Sequence, residues 1–201
     1  MIIKESFEMP YEISASWEAF KNIPMLVSCM PGARLQSNPV VTDIGSTLDI
    51  LFSVKLGPIV GSFLGAGEVR YDDPQRSGVF SGSGVDRKSG SRVRGEAKFT
   101  LSPSLDRLKT EVTVVVDYSL TGPLAQFSRG AIVQELAATL TREFSNNLKG
   151  NIGRLHGVND SSVMKVEQLP NQSDSNTLNI GSLIWQVLFQ KFKALFHLGS
   201  R

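Results

Sequence analysis

The feature that most constrains the fold is a series of segments in which apolar and polar residues alternate with a period of two. In residues 48–56 every even-numbered position is apolar, and Val112, Val114 and Val116 repeat the pattern. Such alternation is typical of a β-strand with one buried face. Strands are predicted at 2–10, 48–56, 63–71, 78–86, 92–101 and 109–120. Short turns join most of them, so an antiparallel sheet built of hairpins is expected.

Helices are predicted on both sides of this sheet in the sequence. Residues 124–152 carry apolar side chains at spacings of three and four, which predicts one long amphipathic helix. Two short helices follow the first strand, one starting near Trp17 with Ser14 or Ser16 as N-cap, and one over 25–29. This order predicts an α+β fold of the helix-grip type, in which a curved antiparallel sheet of six to seven strands wraps around a long C-terminal helix.

Small residues recur on three neighbouring predicted strands. If the alternation holds, the inward positions include Gly65, Gly67, Gly82, Gly84, Gly95 and Ala97. Glycine has no side chain to pack, so these positions either leave a ligand pocket under the helix or only allow the sheet to curl. Both interpretations stand at this stage. The candidate ligand-binding residues, which assume this strand register, are Phe52, Val54, Phe63, Gly67, Ala97, Phe99, Val114, Phe127, Leu136 and Leu140.

Charge divides the chain into three segments. Residues 1–156 carry 17 basic and 16 acidic side chains, residues 157–179 have a net charge of −2, and residues 180–201 have a net charge of +3. We therefore predict a folded domain at 1–156, a polar flexible linker at 157–179 and an amphipathic helix at 180–201. The whole-chain net charge of +2 conceals this division.

The C-terminal segment combines aromatic and basic residues. On a helical wheel, residues 180–198 place polar side chains in a narrow arc and apolar side chains over the rest, except for Lys191, which falls within the apolar arc. The polar arc makes a membrane span unfavourable and favours a helix lying in the headgroup plane of an anionic membrane. The alternative is docking on a partner protein or on the body. The predicted membrane-binding residues are Ile184, Trp185, Leu188, Phe189, Lys191, Phe192, Lys193, Leu195 and Phe196.

Several function classes are disfavoured by what the sequence contains. The single cysteine, Cys29, rules out a disulfide scaffold, and with only His156 and His197 it gives no basis for a zinc site. The sequence shows no nucleophile elbow, dinucleotide fingerprint or P-loop, and the near-neutral body disfavours nucleic acid. No signal peptide is recognisable, so a cytoplasmic location is expected. The basic residues Arg87, Lys88, Arg92 and Arg94 flank one hairpin, where they meet phosphates, an acidic partner or only solvent.

Four stretches resemble those of a known family and appear in its order. They are Cys29-Met30-Pro31-Gly32-Ala33, Lys55-Leu56-Gly57-Pro58-Ile59, Gly82-Ser83-Gly84-Val85-Asp86 and Leu120-Thr121-Gly122-Pro123-Leu124-Ala125-Gln126-Phe127. The chain thus resembles the family of the carbon monoxide dehydrogenase G subunit, a branch of the START-like polyketide cyclase superfamily (SRPBCC), over roughly residues 1–150. The resemblance implies a helix-grip fold around a deep hydrophobic cavity. It also implies a non-catalytic partnership with molybdenum hydroxylases or hydrogenases whose electrons enter the quinone pool.

These observations favour a binding protein. We expect it to carry a respiratory quinone of menaquinone type between the inner face of the cell membrane and such an enzyme, with no covalently bound cofactor and no metal. The first alternative is a recruitment or maturation factor whose cavity is incidental. The second is a cyclase or dehydratase, for which Tyr71, Asp86 and Tyr118 are the candidate acid–base groups.

Overall fold

The computed structural model of the chain describes residues 1–43, 45–56, 59–128 and 130–155. The predicted linker at 157–179 and the predicted tail helix at 180–201 lie outside the described residues.

The described residues form one antiparallel sheet of eight strands. The strands are β1 (Ile2–Met9), β2 (Ala33–Leu35), β3 (Val40–Thr42), β4 (Gly45–Leu56), β5 (Ile59–Asp72), β6 (Ser77–Val85), β7 (Arg92–Pro103) and β8 (Thr110–Thr121). Their order in the sheet is β1-β8-β7-β6-β5-β4-β2, and β3 also pairs with β4. The sheet exceeds the predicted six to seven strands because two three-residue strands, too short to show alternation, pair with β4.

Two helices connect β1 to β2, namely α1 (Ile13–Lys21) and α2 (Ile23–Cys29). The prediction that α1 starts near Trp17 is wrong, because the backbone amide of Ser16 already donates to the carbonyl oxygen of Glu12 at 3.0 Å. Ser14 and Ser16 therefore lie inside the helix and do not cap it. The N-cap is Glu12, whose side chain makes no capping hydrogen bond.

The long C-terminal helix, α3, spans Ala131–Leu155 and is preceded by a separate 3-10 helix, Pro123–Phe127. The predicted start at 124 is therefore wrong. The cause is the backbone at Gly130, directly before α3, where φ is 87°. This left-handed conformation is available to glycine at little cost and interrupts a right-handed helix. The apolar spacing continues across this break, which is why the pattern alone predicts a single helix.

The C-terminal half of α3 is fixed to α2 and to the segment after β1 by side-chain hydrogen bonds. The Tyr11 hydroxyl donates to the carbonyl oxygen of Lys149 at 2.8 Å. The Asn147 side-chain amide donates to the Cys29 carbonyl oxygen at 3.0 Å, and that of Asn151 donates to the Cys29 sulfur at 2.9 Å. Cys29 is thus a buried thiol at the end of α2, where it contacts α3.

The described residues form two separate hydrophobic cores. The first core lies beside α1, α2 and the end of α3, and its fully or nearly fully buried side chains include Met9, Trp17, Phe20, Cys29, Leu101, Val112, Leu148 and Ile152. Its aromatic rings pack closely, with the centroids of Phe20 and Phe99 5.3 Å apart. The second core lies near the 3-10 helix and is centred on Val54, Phe63 and Leu124. Since Leu136 packs on the second core and Phe144 belongs to the first, α3 runs between them.

Candidate ligand-binding site

A belt of glycines crosses the inner face of the sheet. Gly65 lies opposite Gly84 and Gly67 lies opposite Gly82, which in turn lies opposite Gly95. Residues that pair directly across antiparallel strands point to the same face, so all five share one face. We call these five residues the glycine belt. The structure therefore agrees with the predicted inward positions, including Ala97, which lies opposite Phe80 on the same face.

The glycine belt separates the two hydrophobic cores. Along β5, Phe63 of the second core is followed on the same face by Gly65 and Gly67, and then by Val69 of the first core. On β4, the residues opposite Gly65 and Gly67 are Ile50 and Leu48. The part of the inner face with the smallest side chains thus lies between two well-packed regions.

Aromatic rings occupy part of the space that the glycines leave. A Cβ atom at Gly67 would lie 2.4 Å from the Phe80 ring, and one at Gly82 would lie 3.1 Å from it. At Gly65 the constraint is the backbone, because a Cβ would lie 1.8 Å from the carbonyl oxygen of Ser83. Close strand approach and ring packing therefore account for several of these glycines independently of any ligand.

Apolar side chains around the belt nevertheless remain only partly buried. Protein interiors are normally densely packed, so inner-face side chains that retain accessible surface indicate space that the protein does not fill. On the strands and on the helices these half-buried side chains are Ile50, Phe52, Phe80, Val93, Ala97, Val116, Tyr118, Leu120, Phe127, Leu136 and Leu140. They form the candidate ligand-binding site, which we place between α3 and the glycine belt.

The structure brings most of the predicted ligand-binding residues to this region but separates two of them. Phe52, Val54, Phe63, Phe127 and Leu136 meet in the second core, Gly67 and Ala97 lie at the belt, and Leu140 is half-buried on α3. Phe99 and Val114, in contrast, belong to the first core.

Phe99 contacts Trp17, Phe20 and Tyr71, which leaves its ring enclosed by other rings. Sequence reasoning missed Phe80 and Ile50 as site residues, although each lies two positions along its strand from a residue that was assigned to the inner face. Phe80 precedes Gly82 by two residues and Ile50 precedes Phe52 by two.

The three candidate acid–base groups each have a structural hydrogen-bond partner. The Tyr71 hydroxyl donates to the Phe20 carbonyl oxygen at 2.9 Å, and burial raises the pKa of Tyr71 to about 12. The Tyr118 hydroxyl donates to the Ser128 carbonyl oxygen at 2.9 Å, and burial also raises its pKa. Asp86 is 2% exposed and accepts from the Lys88 amide and from the Ser89 hydroxyl within its own turn.

Comparison with known families decides the relationship of the chain. The sequence model of the carbon monoxide dehydrogenase G subunit (CoxG) matches residues 6–153. The chain belongs to this family. A comparison with curated proteins gives no match.

Solved structures with the same fold include members of several function classes. A conserved protein from Geobacillus kaustophilus has a TM-score of 0.63 at 17% identity, covering 77% of this chain and 96% of its own. The Zhui aromatase/cyclase from Streptomyces sp. R1128 has a TM-score of 0.53 at 8% identity, with coverage of 77% and 94%. The ginseng major latex-like protein 151 from Panax ginseng has a TM-score of 0.53 at 12% identity, with coverage of 75% and 96%. At such identities the likeness shows the fold alone, which is the helix-grip fold.

A second concavity of this CoxG-family chain lies on the outer face of the sheet. It is an open groove of about 370 Å³ whose outward-facing lining residues are Leu64, Ala66, Ser83, Val85, Arg92, Arg94, Ser119 and Thr121. Its side chains point away from the glycine belt, because they alternate with the inward residues on each strand. Arg92 and Arg94 are two of the hairpin cations that stand out in the sequence.

Neither a metal site nor a membrane span is found in the part of the chain that the structure describes. Within it, no three His, Cys, Asp or Glu side chains lie close enough together to hold a metal ion. Its helices are also too short or too polar to cross a bilayer.

Proposed function

We propose that this CoxG-family chain binds a hydrophobic ligand between α3 and the glycine belt and carries it between the membrane and an enzyme. The ligand proposed is a respiratory quinone of menaquinone type, and the enzyme is a carbon monoxide dehydrogenase-like molybdenum hydroxylase or hydrogenase. The observation that supports the proposal most is the half-buried apolar surface along the glycine belt, where the edges of the two cores remain accessible. Membership of the CoxG family supports the choice of a carbon monoxide dehydrogenase-like enzyme as the partner.

The chemistry of the site favours an apolar ligand over a polar metabolite. Among the half-buried side chains of the site, Tyr118 is the one with a hydroxyl group, and that hydroxyl already donates to a backbone carbonyl oxygen. A polar ligand would lose its hydrogen bonds to water without regaining them, whereas burial of apolar surface contributes about 25 cal/mol per Å². An isoprenoid chain and an aromatic ring system gain most from such a surface. We assign no catalytic role to the site.

The C-terminal segment supports the membrane half of the proposal. Its aromatic and aliphatic side chains, with Lys191 and Lys193, suit a reversible anchor on an anionic bilayer. The chain would then work at the cytoplasmic face of the cell membrane as a peripheral protein.

Extraction and mass spectrometry of protein purified from the native host test the proposal. We expect an isoprenoid quinone to copurify with the wild-type chain. The matched variant is Ala97→Phe, which adds a ring beside Phe80 and Val116 on the inner face, and it should lose the ligand while keeping the fold. Repeated preparations of the wild-type chain without any isoprenoid quinone would refute it.

A specific observation also favours a second candidate, a recruitment or maturation factor for the same enzyme. Because the Phe80 ring lies over Gly67 and Gly82, part of the space is explained by packing alone. If the remaining cavity is incidental, Ala97→Phe leaves electron delivery by the partner enzyme intact. If the cavity carries the quinone, electron delivery falls with the bound ligand.

A further inference from the structure

The sheet has an unusual concentration of exposed cations at one end. We propose that this end, formed by the β6–β7 hairpin and the adjoining outer-face groove, docks on the phosphate headgroups of an anionic bilayer. We call this surface the hairpin end, and its members are Leu64, Val85, Arg87, Lys88, Arg92 and Arg94. This inference rests on the proposed function, because that function requires the folded domain to approach a membrane.

The cations of the hairpin end are not neutralised by the protein. Arg87, Lys88, Arg92 and Arg94 are exposed, and among the described residues none of them forms an ion pair. The acid within the hairpin, Asp86, is buried and bound to its own turn. These positive charges are therefore available to an external anion.

The opposite end of the sheet differs. There the Lys21 ammonium lies 2.8 Å from a Glu18 carboxylate oxygen, and that of Lys109 lies 2.9 Å from a Glu8 carboxylate oxygen. Arg76 is also within ion-pair distance of Asp73. Cations paired in this way attract an anionic surface much less, so the charge of the molecule is polarised along the strands.

Apolar side chains adjoin the free cations in a single row across the outer face. Leu64 lies opposite Val85, Val85 lies opposite Arg92, and Arg92 lies opposite Thr121. Leu64 and Val85 are each 39% exposed. Arginine binds phosphate through its planar fork of donors, and neighbouring apolar side chains gain by leaving water at the headgroup boundary.

The charge of the next rows limits the contact to this end. Two rows further along the strands, Glu68, Glu96 and Asp117 share the outer face, with Ser81 between the first two. Each of these carboxylates is ion-paired, Glu68 with Arg70, Glu96 with Lys98 and Asp117 with the N-terminal ammonium, so among the described residues this row offers an anionic surface no free cation. The body should therefore meet the bilayer edge-on, with the strand ends towards the lipid.

The hairpin end also adjoins the second core. The Ser91 hydroxyl at the base of the hairpin accepts a hydrogen bond from the buried Leu124 amide at 2.9 Å, and Leu124 is part of that core. An apolar ligand leaving through this end would enter the bilayer without crossing bulk water. This combination favours a lipid surface over an acidic protein surface.

The length of the chain allows the hairpin end and the tail to touch the same bilayer. Helix α3 has 25 residues and is about 37 Å long, and it ends at the end of the sheet opposite the hairpin. The segment 157–179 can extend to about 75 Å, roughly twice that length. The tail anchor and the hairpin end are therefore compatible contacts.

Vesicle cosedimentation of the full chain tests the inference. The test variant is Arg92→Gln/Arg94→Gln, and the matched control is Lys4→Gln/Arg107→Gln, which removes two exposed cations that form no ion pair among the described residues and lie away from the hairpin end. Binding to vesicles of equal parts phosphatidylcholine and phosphatidylglycerol should weaken about 25-fold in the test variant, since each basic residue near the surface contributes about fivefold. The control should bind like wild type, and phosphatidylcholine vesicles should not distinguish the three proteins.

The outcomes separate this inference from the proposed function. Unchanged binding of Arg92→Gln/Arg94→Gln overturns the hairpin contact while leaving the tail anchor intact, and would assign the arginines to an acidic protein surface. An equal loss in the control overturns it too, because general charge then explains the binding. If wild type binds neither vesicle, the hairpin contact and the membrane anchor both fail. Quinone copurification is measured independently of all three results.

Discussion

At the scale of single residues, burial sets the charge state of Tyr71. Burial raises its pKa from 10.0 to about 12, so the folded protein keeps the phenol neutral where the unfolded chain ionises it. Between about pH 10 and 12 the unfolded state binds fewer protons than the native state. The contribution of Tyr71 to stability is therefore complete below pH 10 and is lost as the pH rises through that window.

We predict that Tyr71→Phe weakens the alkaline decline in stability. The variant loses the hydrogen bond to Phe20, which costs about 1 kcal/mol at neutral pH, but it has no phenol to ionise at residue 71. Urea denaturation of both proteins at neutral pH and at several values above pH 10 measures the difference. An identical alkaline decline in the variant would contradict the assignment to Tyr71.

A second prediction at this scale concerns the close strand approach at Gly65. A Cβ there meets the Ser83 carbonyl oxygen, which belongs to the backbone and cannot turn away, so Gly65→Ala should destabilise the fold by about 1–3 kcal/mol. The matched control is Gly150→Ala on α3, where a Cβ meets nothing within 4 Å. It should stabilise the helix by about 0.5–1 kcal/mol. Urea denaturation measures both, and equal effects of the two substitutions would refute the packing argument.

At the scale of elements, the 3-10 helix depends on a single buried serine. Ser91→Ala leaves the Leu124 amide without its acceptor, and an unsatisfied buried donor costs about 1–3 kcal/mol. We predict a loss of that size in urea denaturation, together with faster hydrogen exchange at the Leu124 amide. Ser102→Ala, at an exposed position on β7, is the control and should change neither quantity. Unchanged exchange in Ser91→Ala would show that the hairpin does not hold the 3-10 helix.

The elements also show what the sequence can and cannot predict. The alternation of apolar and polar residues predicts the face of the sheet on which each residue lies. The inward positions of Gly65, Gly82 and Ala97 follow from it. Periodicity does not respond to a local break in the backbone, which explains why it runs past Gly130 and places the helix start seven residues too early. Strands as short as β2 and β3 give no periodic signal at all.

For the candidate site, the sequence predicts the face of the sheet on which each residue lies but not which residues lie at the open part of that face. The alternation of apolar and polar residues assigns Phe99 and Val114 to the inner face correctly. It does not predict which part of that face α1 and α2 cover. These two residues lie in the first core because the short helices pack over that part of the sheet. Which part of the inner face remains open depends on tertiary packing, and a single strand's pattern does not contain it.

At the scale of the whole molecule, we predict separate roles for the tail and the body. The described residues by themselves form two packed cores, and we predict that removal of residues 180–201 leaves the body folded. We predict that the truncated chain no longer sediments with anionic vesicles, since the apolar anchor is gone and the hairpin end adds only charge and shallow contacts. Circular dichroism checks the fold, and vesicle binding equal to that of the full chain would end the anchor hypothesis.

The proposed function depends on the binding of an apolar ligand between α3 and the glycine belt. NMR titration of the full chain with a short-chain menaquinone analogue tests this binding, because glycine amides are well separated and report on the belt itself. We expect saturable shifts concentrated at Gly67, Gly82 and Gly95 and at the side chain of Leu140, with little change at Trp17. No saturable shift at the belt, or shifts confined to Arg92, Arg94 and the outer-face groove, would refute binding at this site.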